Sequence, residues 1–150
     1  MEKTTKSALM KGAITTGIIN AIINGGVQYF LLNDKEVIPI SVDAITNTEV
    51  TVLGTAVSLA ITLSIILTLI GYFTVKGEKV KFFPTAFWLT IKHGFFIFGV
   101  ITSVAVLWQR YMGTIEVSLI WGLVIIGIIT GIVSAVINYL TLIKVPKNTV

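Results

Sequence analysis

The chain has 150 residues, 55% of them hydrophobic and only 12% charged, with a formal net charge of +4 and no cysteine. Its charges fall in short clusters between long uncharged runs, which excludes an ordinary soluble domain and marks a polytopic membrane protein. Without cysteine, thiolate metal sites, disulfides and thiol redox chemistry within one chain are excluded. The basic excess lacks an aromatic-interleaved face of the kind that binds nucleic acid.

Four apolar runs, at about residues 8–32, 50–75, 87–108 and 117–143, each reach the roughly 20 residues needed to cross about 30 Å of hydrocarbon. Only helices satisfy their own backbone at that depth without closing a barrel. The expectation is an all-α membrane protein: one domain over 1–150, a compact bundle of four transmembrane helices. Basic residues cluster at Lys3, Lys6 and Lys11, at Lys76, Lys79 and Lys81, and at Lys144 and Lys147, against only Lys35 and Arg110 in the other loops. By the positive-inside rule both termini are cytoplasmic, in a cell membrane such as a bacterial inner membrane.

The first run is too long for a secretory signal and carries a polar row at spacing four, Gly12, Thr16, Asn20, Asn24 and Gln28. Beside it runs a row of small residues, Ala13, Gly17, Ala21 and Gly25. An unpaired amide in an apolar medium costs roughly 2 to 7 kcal/mol, whereas a hydrogen bond between membrane helices returns about 0.6 to 2 kcal/mol. Asn20 and Asn24 therefore need a partner or water.

The segment 33–48 is a long outer loop, acidic at Asp34, Glu36 and Asp43, with an apolar, extended centre from Val37 to Val42. Two readings stay open, a solvated loop across the outer end or a cation-attracting vestibule. Thr46 followed by Glu49 fits a capping box at the start of the second helix. That helix offers Thr55, Ser58 and Thr62 as polar partners at the depth of Asn24.

In the third run Pro84 suits a first turn, and Trp88 and Trp108 are spaced as interface markers one hydrocarbon thickness apart. Thr102 and Ser103 are further candidate partners near its outer end. Lys92 can snorkel to the inner interface. His93, the only histidine, is either a residue facing that interface or, with Lys92, a gate or proton relay. The fourth run carries Thr130, Ser134 and Asn138 beside Gly127, Gly131 and Ala135. Laid antiparallel by depth, Gly12, Thr16 and Asn20 face Asn138, Ser134 and Thr130, while Ala13, Gly17 and Ala21 face Ala135, Gly131 and Gly127. Close packing of helices one and four in this register is expected.

The register leaves Asn24 and Gln28 without partners on helix four. They read either as a dry hydrogen-bonded knot or, with Asn20, Ser58, Thr62, Thr102 and Ser103, as the lining of a small polar cavity. The second reading implies a channel or transporter for a small neutral solute or ion, working as a homo-oligomer in the lipid bilayer. A regulatory subunit that binds another membrane protein is the alternative. A third class, an enzyme or cofactor protein using His93, finds no supporting motif, and no catalytic residue, metal or cofactor is expected.

Overall fold

The computed structural model describes residues 3–42 and 49–146, and the side chains of those from Lys6 onward. Four helices, α1 (Lys3–Leu31), α2 (Val52–Thr74), α3 (Phe87–Met112) and α4 (Leu119–Lys144), are joined by short strands β1 (Val37–Ile40) and β2 (Ile115–Ser118) and a π turn at Phe82–Ala86. Three of the helical segments, Val52–Thr74, Phe82–Met112 and Leu119–Lys144, are long and apolar enough to cross a membrane. The 29-residue α1 is long enough, but its lysines, threonines and amides keep it outside that apolar set.

Neighbours along the helix array are α1 and α4, α4 and α2, and α2 and α3. α2 lies between α4 and α3, and buried side chains of these three helices form the core. Ala60 of α2, Ile97 of α3 and Val133 and Ile137 of α4 form its middle, and Tyr72, Ala86, Leu89 and Val145 its lower end. α1 stands outside this core, packed along α4, and makes no comparable contact with α2 or α3. That differs from four helices around a shared interior.

Small side chains decide the α1–α4 approach. A Cβ on Gly17 would lie 2.7 Å from the Gly131 carbonyl oxygen and 2.9 Å from the Ala135 Cβ, and one on Gly127 would lie 3.2 Å from the Ala21 carbonyl oxygen. Higher in α1, Gly25 approaches the Leu123 carbonyl, so contacts rise along α1 as they descend along α4. The two helices are antiparallel. Their backbones meet at distances that only glycine and alanine permit.

The loop connections pair with each other. β1 and β2 form an antiparallel ribbon with Ile38 opposite Val117 and Pro39 opposite Glu116. Both strands are edges, so the missing N–H of Pro39 is tolerated. Alternation puts Ile38 inward at 0% exposure, where it packs with Val52 and Leu123 and fills the space a side chain at Gly122 would need. At the opposite end Lys79 bridges to Pro146, with the Val80 N–H donating to the Val145 carbonyl at 2.9 Å.

Helix starts differ in detail from the sequence expectation. α2 begins at Val52, and the Thr51 hydroxyl caps it by accepting from the Gly54 N–H at 3.1 Å. Thr46, of the expected capping box, lies outside the described residues. Pro84 sits in the π turn leading into α3, after a cis peptide bond from Phe83.

Candidate functional site

The amide row of α1 is a ladder built largely on its own backbone. Thr16 Oγ1 donates to the Gly12 carbonyl at 3.0 Å, Asn20 Nδ2 to the Thr16 carbonyl at 2.9 Å, and Asn24 Nδ2 to the Asn20 carbonyl at 2.7 Å. Each asparagine thus satisfies one amide N–H within its helix, which removes much of the cost of holding it in hydrocarbon. The row is tied to α4 at one point. Asn138 Nδ2 donates to Thr16 Oγ1 at 2.7 Å. Asn138 therefore reaches Thr16, one turn away from the expected Gly12. Thr130, expected opposite Asn20, instead turns its hydroxyl to the Ile126 and Gly127 carbonyls of its own helix. Ser134, expected opposite Thr16, is fully buried, and its hydroxyl has no partner among the described residues. Gln28 is buried near the outer end of α1.

The other candidate lining residues do not join this row. Ser58 and Thr62 face outward on α2 and return their hydroxyls to the Gly54 and Ser58 carbonyls. The buried stripe of α2 is Ala56, Ala60, Ser64, Thr68 and Tyr72, so Ser58 lies about 200° around the helix from Ala56. On α3, Ser103 faces outward and donates to the Gly99 carbonyl at 2.6 Å, while Thr102 is half-buried with an unpartnered hydroxyl. Asn20, Asn24 and Gln28 on one side and Ser58, Thr62, Thr102 and Ser103 on the other do not surround one cavity. Two shallow, mainly apolar grooves lie apart from each other: about 380 Å³ between α1 and α4, lined by Gly25, Tyr29 and Leu123 among others, and about 530 Å³ on the face of α3, where Thr102 and Ser103 join Gly99 and Val106.

A buried polar cluster forms elsewhere, between α2 and α3. His93 is 3% exposed, and its Nδ1 lies 2.9 Å from Thr68 Oγ1. Thr68 Oγ1 also lies 2.6 Å from the Ser64 carbonyl, which can only accept. The one Thr68 proton therefore goes to Ser64, and the ring donates from Nδ1. In the neutral ring Nε2 is then a bare lone pair, buried without a partner among the described residues. His93 is turned into the protein, not toward the interface. Lys92, next in sequence, points out, so the two do not form a joint gate or relay.

Two residues that the sequence does not single out also join elements of the fold. Gln109 accepts from the Val42 N–H at 3.3 Å through Oε1 and donates to Thr114 Oγ1 at 3.2 Å, tying the end of α3 to both loops. Thr68 is the other, and its position four residues after Ser64 and four before Tyr72 on the buried stripe was the available signal. Among the described residues no group of three metal-ligating side chains gathers. No family model, characterised protein or solved structure matches the chain.

Proposed function

We propose that the chain is a multi-pass protein of a cell membrane, with both termini cytoplasmic, acting as an interaction subunit that pairs with other transmembrane helices in the bilayer plane. Its partners are further copies of itself or another membrane protein. Three helices are apolar enough to span. The fourth, α1, runs beside α4 from Thr16 to Gly25 and turns Ile14, Ile18, Ile22 and Val27 outward, so it shares the hydrocarbon layer with α4. The lysine-rich end supports the orientation.

The observation that carries the reading is the outward placement of Ser58, Thr62 and Ser103. Hydroxyls on a lipid-facing surface keep acceptor capacity after bonding their own backbone, and small residues such as Gly99 beside Ser103 allow another helix to come close. Single cysteines at 58, 62 and 103, in a chain with no native thiol, test this in proteoliposomes. Crosslinking between protomers from these positions, and not from 14 or 22, is expected. Monomeric protein that fails to crosslink yet carries solute across the bilayer overturns the reading.

Transport is the second reading, favoured by the half-buried Asn20 and Asn24. Because α1 stands outside the core, a polar conduit past these amides needs α1 helices from several protomers. Flux of a small solute that is abolished by the Asn20→Leu, Asn24→Leu double variant supports transport; wild-type flux in that variant removes it.

A further inference from the structure

At the lysine-rich end, a pocket of about 290 Å³ is lined by Pro84, Thr85, Trp88, Leu89, Lys92 and Lys144. Its two ammonium groups come from different helices, the start of α3 and the last turn of α4. No carboxylate lines it, and it is more polar than the grooves on α1 and α3. Lys79, by contrast, is already engaged, donating to the Tyr72 carbonyl at 3.1 Å and lying over the Tyr72 ring.

We infer that this pocket binds the phosphate of an anionic phospholipid headgroup. The inference rests on the membrane-spanning reading and its orientation, and on nothing about helix partners. Trp88 marks the interfacial depth, and a basic pocket between helices on the cytoplasmic side is suited to a headgroup phosphate. Lys92 and Lys144 supply charge and hydrogen-bond donors to the phosphate oxygens. Thr85 and Trp88, which also line the pocket, carry a hydroxyl and an indole N–H as neutral donors. Phe95, two turns beyond Trp88 on the same face and 72% exposed, offers an apolar surface along which an acyl chain can lie. Soluble phosphate shares the headgroup chemistry but gains nothing from that surface.

Native mass spectrometry of the detergent-solubilised protein, titrated with phosphatidylglycerol, phosphatidylcholine or inorganic phosphate, tests the site. Phosphatidylglycerol adducts are expected on the wild type at concentrations where phosphatidylcholine gives none. The Lys92→Gln, Lys144→Gln pair is expected to weaken them by roughly tenfold to thirtyfold, as two lysines near an anionic headgroup imply. The Lys92→Arg, Lys144→Arg pair should retain them. A Lys76→Gln, Lys81→Gln pair makes the same charge change outside the pocket and should leave them unaltered. Equal weakening by both glutamine pairs overturns the site in favour of diffuse surface charge. Displacement of the lipid by an equal concentration of inorganic phosphate overturns the lipid assignment in favour of a soluble anion. Helix partners play no part in these readouts, so failed crosslinking between protomers leaves them intact.

Discussion

Asn138 donates its side-chain amide to the Thr16 hydroxyl at 2.7 Å, across the α1–α4 seam and between residues 122 apart in sequence. It joins the polar row of α1 directly to that of α4. It sits where the small residues have already brought the backbones close. The hydrogen bond therefore fixes register, and the packing supplies most of the attraction.

A double-mutant cycle tests that division. Thr16→Val and Asn138→Leu are each expected to lower stability in steric or denaturant unfolding from bicelles. Their coupling energy should be about 0.6 to 1.7 kcal/mol, the range of membrane hydrogen bonds. A coupling near zero would mean that the pair makes no energetic contribution to the seam.

Gly17→Ala is expected to be the more damaging change. Its Cβ would meet the Gly131 carbonyl oxygen at 2.7 Å, and backbone cannot swing aside as a side chain does. The helices must separate, at about 1 to 3 kcal/mol. Gly12→Ala and Gly26→Ala, where a Cβ meets nothing within 4 Å, are the controls and should stay near wild type or gain slightly through helix propensity. Equal loss at all three positions would contradict the close approach.

How much of this could be read from the sequence differs by element for physical reasons. Helix positions follow from uninterrupted apolar runs, and small residues at spacing four mark a close-packing face because bulky neighbours cannot substitute for them. Which hydroxyl-bearing face turns inward is harder. In a bilayer both faces of a helix are apolar, and Ser58 and Thr62 satisfy their donors on their own backbone, so their presence says little about burial. Ser64 and Thr68 carry the same residue types and are buried, Thr68 against His93. The β1–β2 ribbon is not legible in the sequence because each strand is four residues long, too short for alternation to stand out, and Pro39 argues locally against a strand. The sequence pattern of a capping box points to Thr46, whereas the hydroxyl that caps α2 belongs to Thr51.

The outer ribbon gives a further test. Gln109 holds Val42 and Thr114 by hydrogen bonds of 3.3 and 3.2 Å. Gln109→Leu removes both, at about 0.5 to 1.5 kcal/mol each, but leaves Ile38 in its apolar seat. Faster hydrogen exchange at Val42 with little change in the helices is the expected outcome. Loss of the whole fold would show that Gln109, and not Ile38, holds the ribbon.

Asn20 and Asn24 separate the pairing and transport readings by water access. Each amide already donates one N–H to a carbonyl four residues back, so part of its hydrogen-bonding need is met without solvent. Single cysteines at 20 and 24 in protein reconstituted into liposomes are therefore expected to resist membrane-impermeant thiol reagents, much as cysteines at 13, 17 and 21 do. Selective labelling at 20 and 24 would instead place water along that side of α1 and favour an oligomeric conduit.

His93 offers a spectroscopic prediction with a structural consequence. Because the Thr68 hydroxyl has one proton and spends it on the Ser64 carbonyl at 2.6 Å, the imidazole must donate from Nδ1. In ¹⁵N spectra of histidine-labelled protein, the neutral ring is expected to show a protonated Nδ1 and an unprotonated Nε2, against the usual preference of free histidine. Thr68→Val should leave that Nδ1–H buried and unpaired, lowering stability by about 1 to 3 kcal/mol. Thr68→Ser, which keeps the oxygen, should recover most of the loss. A ring found with its proton on Nε2 would mean that Thr68 donates to histidine and leaves Ser64 aside, and the polar cluster between α2 and α3 would then run in the opposite direction.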